Sequence, residues 1–322
     1  MRLRRSDLGR PGFSRRRHGT GFRYLDAAAK TLTDKQAVAR IKALVIPPAW
    51  TDVWISTDER GHIQATGVDA AGRKQYIYHP QWRTARDEKK FDHALDIAER
   101  LPEIRSRLCT DLSGRGLTRD RVLAAITRLL DMGMFRVGSD QYARRDDDPS
   151  YGLSTLRPDH VRTRGGCVVL EFTGKSGVEH TTGVDDGEVC QVLRDLKRRR
   201  KDADRLFAYW DPSARTWREI RADDVNDYLR EVSGEEMTAK VFRTWHGTVK
   251  AAGVLAEAGP QETKTARKRA VSHAMKEVAG LLGNTPAVAR SSYVDPRVVE
   301  AYEQGRTVDE PTEAAVLDLL TD

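Results

Sequence analysis

Arg73-Lys74-Gln75-Tyr76-Ile77-Tyr78-His79 alternates strictly between two kinds of side chain. Successive residues of a strand face opposite ways, so Gln75, Ile77 and His79 share one face and Lys74, Tyr76 and Tyr78 the other. Upstream, Val53 to Ser56 and His62 to Val68 also read as strands, separated by the turn pieces Asp58-Glu59-Arg60-Gly61 and Asp69-Ala70-Ala71-Gly72. Together these runs predict an antiparallel meander, preceded by a short helix from Lys35 to Leu44 that Ile46-Pro47-Pro48 stops. Downstream the period changes. After a wholly charged segment around Thr84 to Asp92, taken as a linker, Val122, Ala125, Ile126, Leu129 and Leu130 recur at helical spacing between Thr118 and Met134. The expected class is α+β: a small β-rich domain over residues 1–89, then a larger, mainly helical domain over 90–322.

Charge follows the same division. Residues 1–90 hold 19 Lys plus Arg against 9 Asp plus Glu, a net +10 within an overall +7. A basic front part suits a polyanion, most often nucleic acid. Residues 1–24 carry eight arginines, three of them consecutive at Arg15, Arg16 and Arg17, which reads as a nucleic-acid-binding arm or a solvated terminus. On the third strand, the Lys74, Tyr76 and Tyr78 face suits DNA, with ammonium on phosphate and phenols against sugar or base edges; core aromatics are the other reading. At the carboxyl end, residues 300–322 hold seven acids and one Arg, and read as a frayed, solubilising tail.

No run of about 18 apolar residues occurs, so a soluble cytoplasmic protein is expected. Three scattered cysteines, Cys109, Cys167 and Cys190, suit neither a disulfide framework nor a zinc site, and no metal is indicated.

The larger domain carries several residues suited to phosphate chemistry. Arg136 follows the 118–134 helix in Met134-Phe135-Arg136-Val137-Gly138, where a basic residue complementing the helix dipole is the ordinary reading. Ser154 to Leu156, Cys167 to Phe172 and Val178 to Thr182 read as strands, with Gly174-Lys175-Ser176-Gly177 as a tight turn between the last two. The Gly-Lys-Ser triplet is not a nucleotide-binding loop, because Val169 stands where that loop needs glycine and a strand, not a helix, follows. Lys175 is therefore at a hairpin tip. A basic run, Lys197 to Lys201, could touch phosphates or be solvated. Helices are expected at Asp223 to Val232, Thr238 to Glu257 and Thr263 to Leu282; in the second, Val241, Trp245, Val249 and Ala252 form the buried stripe, Arg243 falls off it, and Lys240 lies one turn before. The chain then stops at Gly283, restarts at Asn284 or Thr285 with Pro286 in the first helical position, and stops again after Tyr293, where Asp295-Pro296 opens a new helix. A phenol there could be presented outward.

In order along the chain, Gly21-Phe22-Arg23-Tyr24-Leu25-Asp26, Ile46-Pro47-Pro48-Ala49-Trp50, Lys74-Gln75-Tyr76-Ile77-Tyr78, Phe135-Arg136-Val137-Gly138 and the Tyr293 segment resemble the type IB DNA topoisomerases, specifically their short bacterial and poxvirus-like branch. The resemblance covers nearly the whole chain. It implies Tyr293 as nucleophile, Arg136 and Arg243 (after Lys240, in a Lys-x-x-Arg pattern) as phosphate-holding arginines, and Lys175 as general acid. Asn284 stands where viral and eukaryotic members have a histidine; it can donate a hydrogen bond to a phosphoryl oxygen but is never cationic. By the same resemblance, Arg73, Lys74, Gln75, Tyr76 and Tyr78 dock the sheet in the major groove of double-stranded DNA, and the two domains form a C-shaped clamp. The enzyme so implied is a nucleoid-associated monomer that relaxes positive and negative supercoils through a 3′-phosphotyrosyl intermediate, without nucleotide, cofactor or metal.

A phosphodiester attacked in line gathers charge on its nonbridging oxygens, which guanidinium forks match, while the leaving 5′ oxygen must gain a proton. The nearest rival is a tyrosine recombinase performing strand exchange. Such enzymes show His-x-x-Arg and Leu-Gly-His where this chain has Lys240 and Asn284, and their first domain is generally helical. A non-catalytic DNA-binding protein is the third reading, against which the four matching positions Arg136, Lys175, Arg243 and Tyr293 stand.

Overall fold

A computed structural model describes residues 2–133, 135–144, 148–164, 167–199 and 203–321. The chain divides into two compact units, Met1–Lys90 and Phe91–Asp322.

The first unit is built on a five-stranded antiparallel sheet. Its strands are β1 (Phe13–His18), β2 (Gly21–Leu25), β3 (Thr51–Ile55), β4 (Ile63–Val68) and β5 (Lys74–Tyr78), in the order β2-β1-β3-β4-β5. The meander expected from the sequence is β3-β4-β5. What charge concealed is the hairpin β1-β2: Arg15, Arg16 and Arg17 lie in a strand, not in an arm, and Gly19 at φ +59° makes the turn. Arg15 is structural, its guanidinium 4.0 Å from the Phe22 ring centroid and donating to the carbonyls of Ile46, Pro47 and Trp50. Helix α1 (Lys35–Ala43) starts where the Asp34 carboxylate accepts from the backbone N–H of Gln36 and Ala37. The core of this unit is small: Ile41, Ile46, Val53, Ile55 and Ala65, with Phe13, Tyr24, Trp50 and Ile77 against it.

Helix α2 runs over Pro80–Leu112, so the charged segment expected to be a linker is helical. Its Arg, Glu and Lys are good helix formers, and from Phe91 on, buried Ala94, Leu95, Ala98 and Leu101 recur at the helical period.

Within the second unit, α3 (Arg119–Asp131) is capped by the Thr118 hydroxyl and buries nearly every side chain. After the short α4 (Asp140–Ala143), the stretch Ser154 to Leu156, expected as a strand, falls on a 3-10 turn over Leu153–Thr155 instead. A three-stranded antiparallel sheet follows, β6 (Val161–Arg164), β7 (Cys167–Thr173) and β8 (Glu179–Val184), in chain order. Next come α5 (Gly187–Arg199), the hairpin β9 (Ala208–Asp211) and β10 (Thr216–Glu219), and α6 (Ala222–Ser233). Of the basic run at 197–201, Arg200 and Lys201 lie outside the described residues, as does Met134. Helices α7 (Lys240–Ala258) and α8 (Lys264–Leu282) pack together and frame the carboxyl-terminal elements α9 (Pro286–Ser292), α10 (Pro296–Glu303) and α11 (Glu313–Thr321).

The acidic tail is not frayed. Helix α11 buries Val316 and Leu320, and its Glu313 accepts from Arg105 at 2.6 and 3.0 Å and from the Trp245 indole at 3.2 Å. Arg105 also makes two 2.8 Å bonds to Asp131, whose side chain is only 5% exposed. One guanidinium thereby joins α2, α3 and α11. Among the described residues no helix is long and apolar enough to cross a membrane.

Candidate active site

The site is organised around the end of α8. Gly283 adopts φ +57°, which lets the helix stop in a left-handed turn. Thr285 then caps α9, with Pro286 in the first helical position. This turn leaves the carbonyls of Leu282 and Gly283 without helical partners, and arginines fill them.

Arg136 arrives from beyond the end of α3, on the segment after Gly133, which turns at φ +78°. It is therefore not a helix-dipole residue. Buried Phe135 anchors the segment, and the carbonyls of Arg136 and Val137 accept from Leu153 and Ser154 at 2.9 and 2.7 Å. The half-buried guanidinium donates through Nη2 to the carbonyls of Leu282 (3.2 Å) and Gly283 (3.0 Å) and to Asn284 Oδ1 (3.0 Å). Burial pushes its pKa below the ordinary arginine value.

Arg243 comes from α7. The sequence stripe placed it on an exposed face, but it is 3% exposed. Of that stripe Trp245 and Ala252 are buried but Val241 and Val249 only half-buried, and the buried side takes in Phe242, Arg243, Thr244, Gly247 and Thr248, because α8 and the Tyr293 segment cover it. Arg243 Nη2 donates to the Leu282 carbonyl at 2.6 Å. Burial, and then repulsion from Arg136, pushes its guanidinium down to about 10, still protonated near neutrality.

Tyr293 ends α9 and is half-buried rather than presented freely outward. The Arg243 guanidinium carbon is 5.1 Å from its ring centroid, and Lys240 Nζ, on an exposed residue, is 5.8 Å away. Burial pushes the phenol pKa up, but a hydrogen bond from Arg243 and the charges of Arg243, Lys240 and Arg136 outweigh it, so the net shift is downward. Cations thus favour the phenolate at the residue expected to act as nucleophile.

Asn284 is tied into the turn, with one of its two Nδ2 hydrogens engaged. Its Nδ2 donates to the Leu282 carbonyl at 3.3 Å while its Oδ1 receives Arg136. Lys175 is exposed at the β7-β8 tip, where Ser176 (φ +64°) and Gly177 (φ +71°) turn the chain. The hairpin reaches the same turn, since Val178 Cγ1 lies 3.7 Å from the Cβ position of Gly283. Asn284, Arg136, Arg243 and Tyr293 are therefore linked through the Leu282 carbonyl, and Lys175 rides on a hairpin that abuts the same turn.

Other residues of the site were not singled out from the sequence. A Cβ on Gly247 would lie 2.8 Å from the Tyr293 carbonyl, and Thr248 Oγ1 contacts that carbonyl at 3.4 Å and accepts from Asp295 N at 3.0 Å. A glycine inside a helix costs about 1 kcal/mol relative to alanine, which is the signal that something approaches closely there. His180 of β8 lies within the electrostatic reach of Arg136 and Arg243.

In the first unit, β5 presents the expected face. Tyr76 is 39% exposed, its ring stacks on Tyr78 at 6.0 Å, and Lys74 Nζ is 5.9 Å from its centroid. Ile77 turns the other way into the core. Arg73 and Gln75 both donate to Asp69, whose carboxyl these bonds hold down to about 2. Among the described residues no group of three or more His, Cys, Asp or Glu is placed to hold a metal ion.

Two guanidiniums and a tyrosine converge on one helix end, and sequence comparison gives the class of the chain. Residues 79–313 match the family described as eukaryotic DNA topoisomerase I, catalytic core, and residues 21–69 match bacterial DNA topoisomerase IB, N-terminal domain. The chain belongs to the type IB DNA topoisomerases and is an isomerase. It is 31% identical over 300 residues to DNA topoisomerase 1B of Acanthamoeba polyphaga mimivirus, covering 91% of this chain and 88% of that protein. With DNA topoisomerase 1B of vaccinia virus (strain Copenhagen) it shares 23% identity over 290 residues, 86% of this chain and 85% of the viral one. DNA topoisomerase 1 alpha of Arabidopsis thaliana is 25% identical over 214 residues, 64% of this chain and 21% of the plant protein.

Proposed function

We propose that the enzyme relaxes supercoils of either sign by transiently cutting one strand of duplex DNA through Tyr293. The phenolate oxygen attacks phosphorus, the bond to the 5′ oxygen breaks, and the 3′ phosphate stays on the tyrosine while the duplex swivels. Resealing is the reverse attack by the 5′ hydroxyl; the ester conserves the bond energy, so the cycle has no need of ATP. The observation that carries this reading is that Arg243 contacts both Tyr293 and the Leu282 carbonyl, and Arg136 reaches the same carbonyl.

Each residue has a role. Arg136 and Arg243 hold the nonbridging oxygens of the pentacoordinate state. Lys175, at its exposed tip, gives a proton to the leaving 5′ oxygen. Asn284, as the acceptor for Arg136, aims that guanidinium, and its amide adds a donor once it leaves Leu282. Lys240 supplies positive charge beside the phenol. On the first unit, the Lys74, Tyr76 and Tyr78 face contacts DNA. The protein acts as a monomer on the nucleoid.

Trapping tests this directly. A duplex nicked just downstream of the cleavage site loses the short downstream fragment that leaves with a 5′ hydroxyl, and the 3′ phosphate of the upstream strand should remain covalently on the peptide containing Tyr293. A covalent adduct on another residue, or through a 5′ phosphate, would replace this mechanism.

A further inference from the structure

The hairpin that carries Lys175 rests on a histidine. His180 in β8 pairs with Phe172 in β7, and its ring stacks on that phenyl at 4.9 Å with an interplanar angle of 17°. Phe172 in turn packs at 6.2 Å on Phe135, the neighbour of Arg136.

Gly174 immediately precedes Lys175 and is buried. Its φ of −93° is open to any residue, so the glycine is not there for a turn. A Cβ at this position would fall 2.6 Å from His180 Nε2 and 2.7 Å from Cδ2. The imidazole occupies the space that a side chain at 174 would need. On the other side of the tip, Gly174 N donates to the Val178 carbonyl at 2.7 Å and closes the loop. Backbone pairing thus fixes the loop's width, and the imidazole supports the strand end from which Lys175 projects.

The chemistry of the ring suits that place. Burial first, then the charges of Arg136 and Arg243, push its pKa below the ordinary histidine value, while Glu179 opposes them. The shift favours the neutral imidazole, which adds no third fixed cation to the field of Arg136 and Arg243.

We propose that His180 is a positioning residue for Lys175: its imidazole fills the notch left by Gly174 and holds the hairpin tip where the lysine ammonium meets the leaving 5′ oxygen. This rests on the reading of Lys175 as general acid. Misplacing a catalytic group by about 1 Å costs on the order of 10²-fold, so loss of the seat carries a kinetic cost without removing any group that touches DNA.

The test is single-turnover cleavage of two duplexes, one with an ordinary phosphodiester and one with a 5′-bridging sulfur, whose leaving group needs no proton. Lys175→Ala should be slow on the first and restored on the second. His180→Ala should show the same split, slower by about 10–100-fold on the ordinary duplex and within a few-fold of the unsubstituted enzyme on the sulfur duplex. Gly174→Ala should reproduce it, because the new methyl displaces the ring, and His180→Phe, which keeps an aromatic plate on Phe172, should recover part of the rate. Gly174→Ala decides the matter if His180→Ala does not fold. If Lys175→Ala is restored but His180→Ala and Gly174→Ala are slowed equally on both duplexes, or not slowed at all, His180 does not act through the lysine. Failure of sulfur to restore Lys175→Ala would remove the general-acid role and this proposal with it.

Discussion

The guanidinium carbon of Arg243 lies 5.1 Å from the ring centroid of Tyr293, while its Nη2 donates to the Leu282 carbonyl at 2.6 Å. One side chain on α7 thereby sets the distance between the end of α8 and the tyrosine that ends α9. Arg243→Lys keeps the charge but has no fork to reach both, so single-turnover cleavage should slow by about 10²–10³-fold with DNA affinity little changed. A rate within a few-fold of the unsubstituted enzyme would mean that charge alone is enough.

The tyrosine should also titrate early. Its phenol is pushed up by burial and more than compensated by Arg243, Lys240 and Arg136. Cleavage should therefore rise with pH with a midpoint below the usual tyrosine value of about 10. Lys240→Ala removes a cation and should move that rise to higher pH. The 5′-bridging sulfur duplex isolates this limb by removing the proton demand of the leaving group; a profile unmoved by Lys240→Ala would take that lysine out of the phenol's field.

Asp131 links stability to acid. Burial alone would raise its carboxyl pKa, but bonds from Arg105 and His246 hold it well below the carboxylate range. A depressed folded-state value means that the contribution is fully present above the unfolded value of about 3.9 and is lost as pH falls below it. Asp131→Asn should cost about 1–3 kcal/mol near neutrality, because Arg105 then keeps only Glu313 as a charged partner, and should flatten the loss of stability below about pH 4. Denaturant unfolding at several pH values checks both; an unchanged slope in acid would place the linkage elsewhere.

On the first unit, Lys74→Ala should weaken duplex binding at all sequences alike and lower the slope of log affinity against log salt by about 1. An unchanged slope would mean that Lys74 meets no phosphate.

Much of this was legible in the sequence because it lay in periods and punctuation. The alternation at 73–79 gave β5 and its outward Lys74 and Tyr76, and the Gly283, Thr285 and Pro286 signals gave the break between α8 and α9. Charge was the poorer guide. The arginines of β1 read as an arm because Arg15 packs on Phe22 and three carbonyls distant in sequence, and the 84–92 segment read as a linker although its residues favour a helix. Arg243 read as exposed because the buried side of α7 is defined by α8 and the Tyr293 segment, which only tertiary packing brings there. Similarly, nothing local to His180 or Gly174 shows that one ring fills the other's missing side chain.

Whether Tyr293 drives ATP-independent relaxation is decided on supercoiled plasmid in EDTA without nucleotide, at a salt concentration that permits binding, with Tyr293→Phe alongside. The unsubstituted enzyme should relax positively and negatively supercoiled plasmid completely, and Tyr293→Phe should relax none despite intact DNA binding. Plasmid left supercoiled by the unsubstituted enzyme, or relaxed by Tyr293→Phe, would contradict that role.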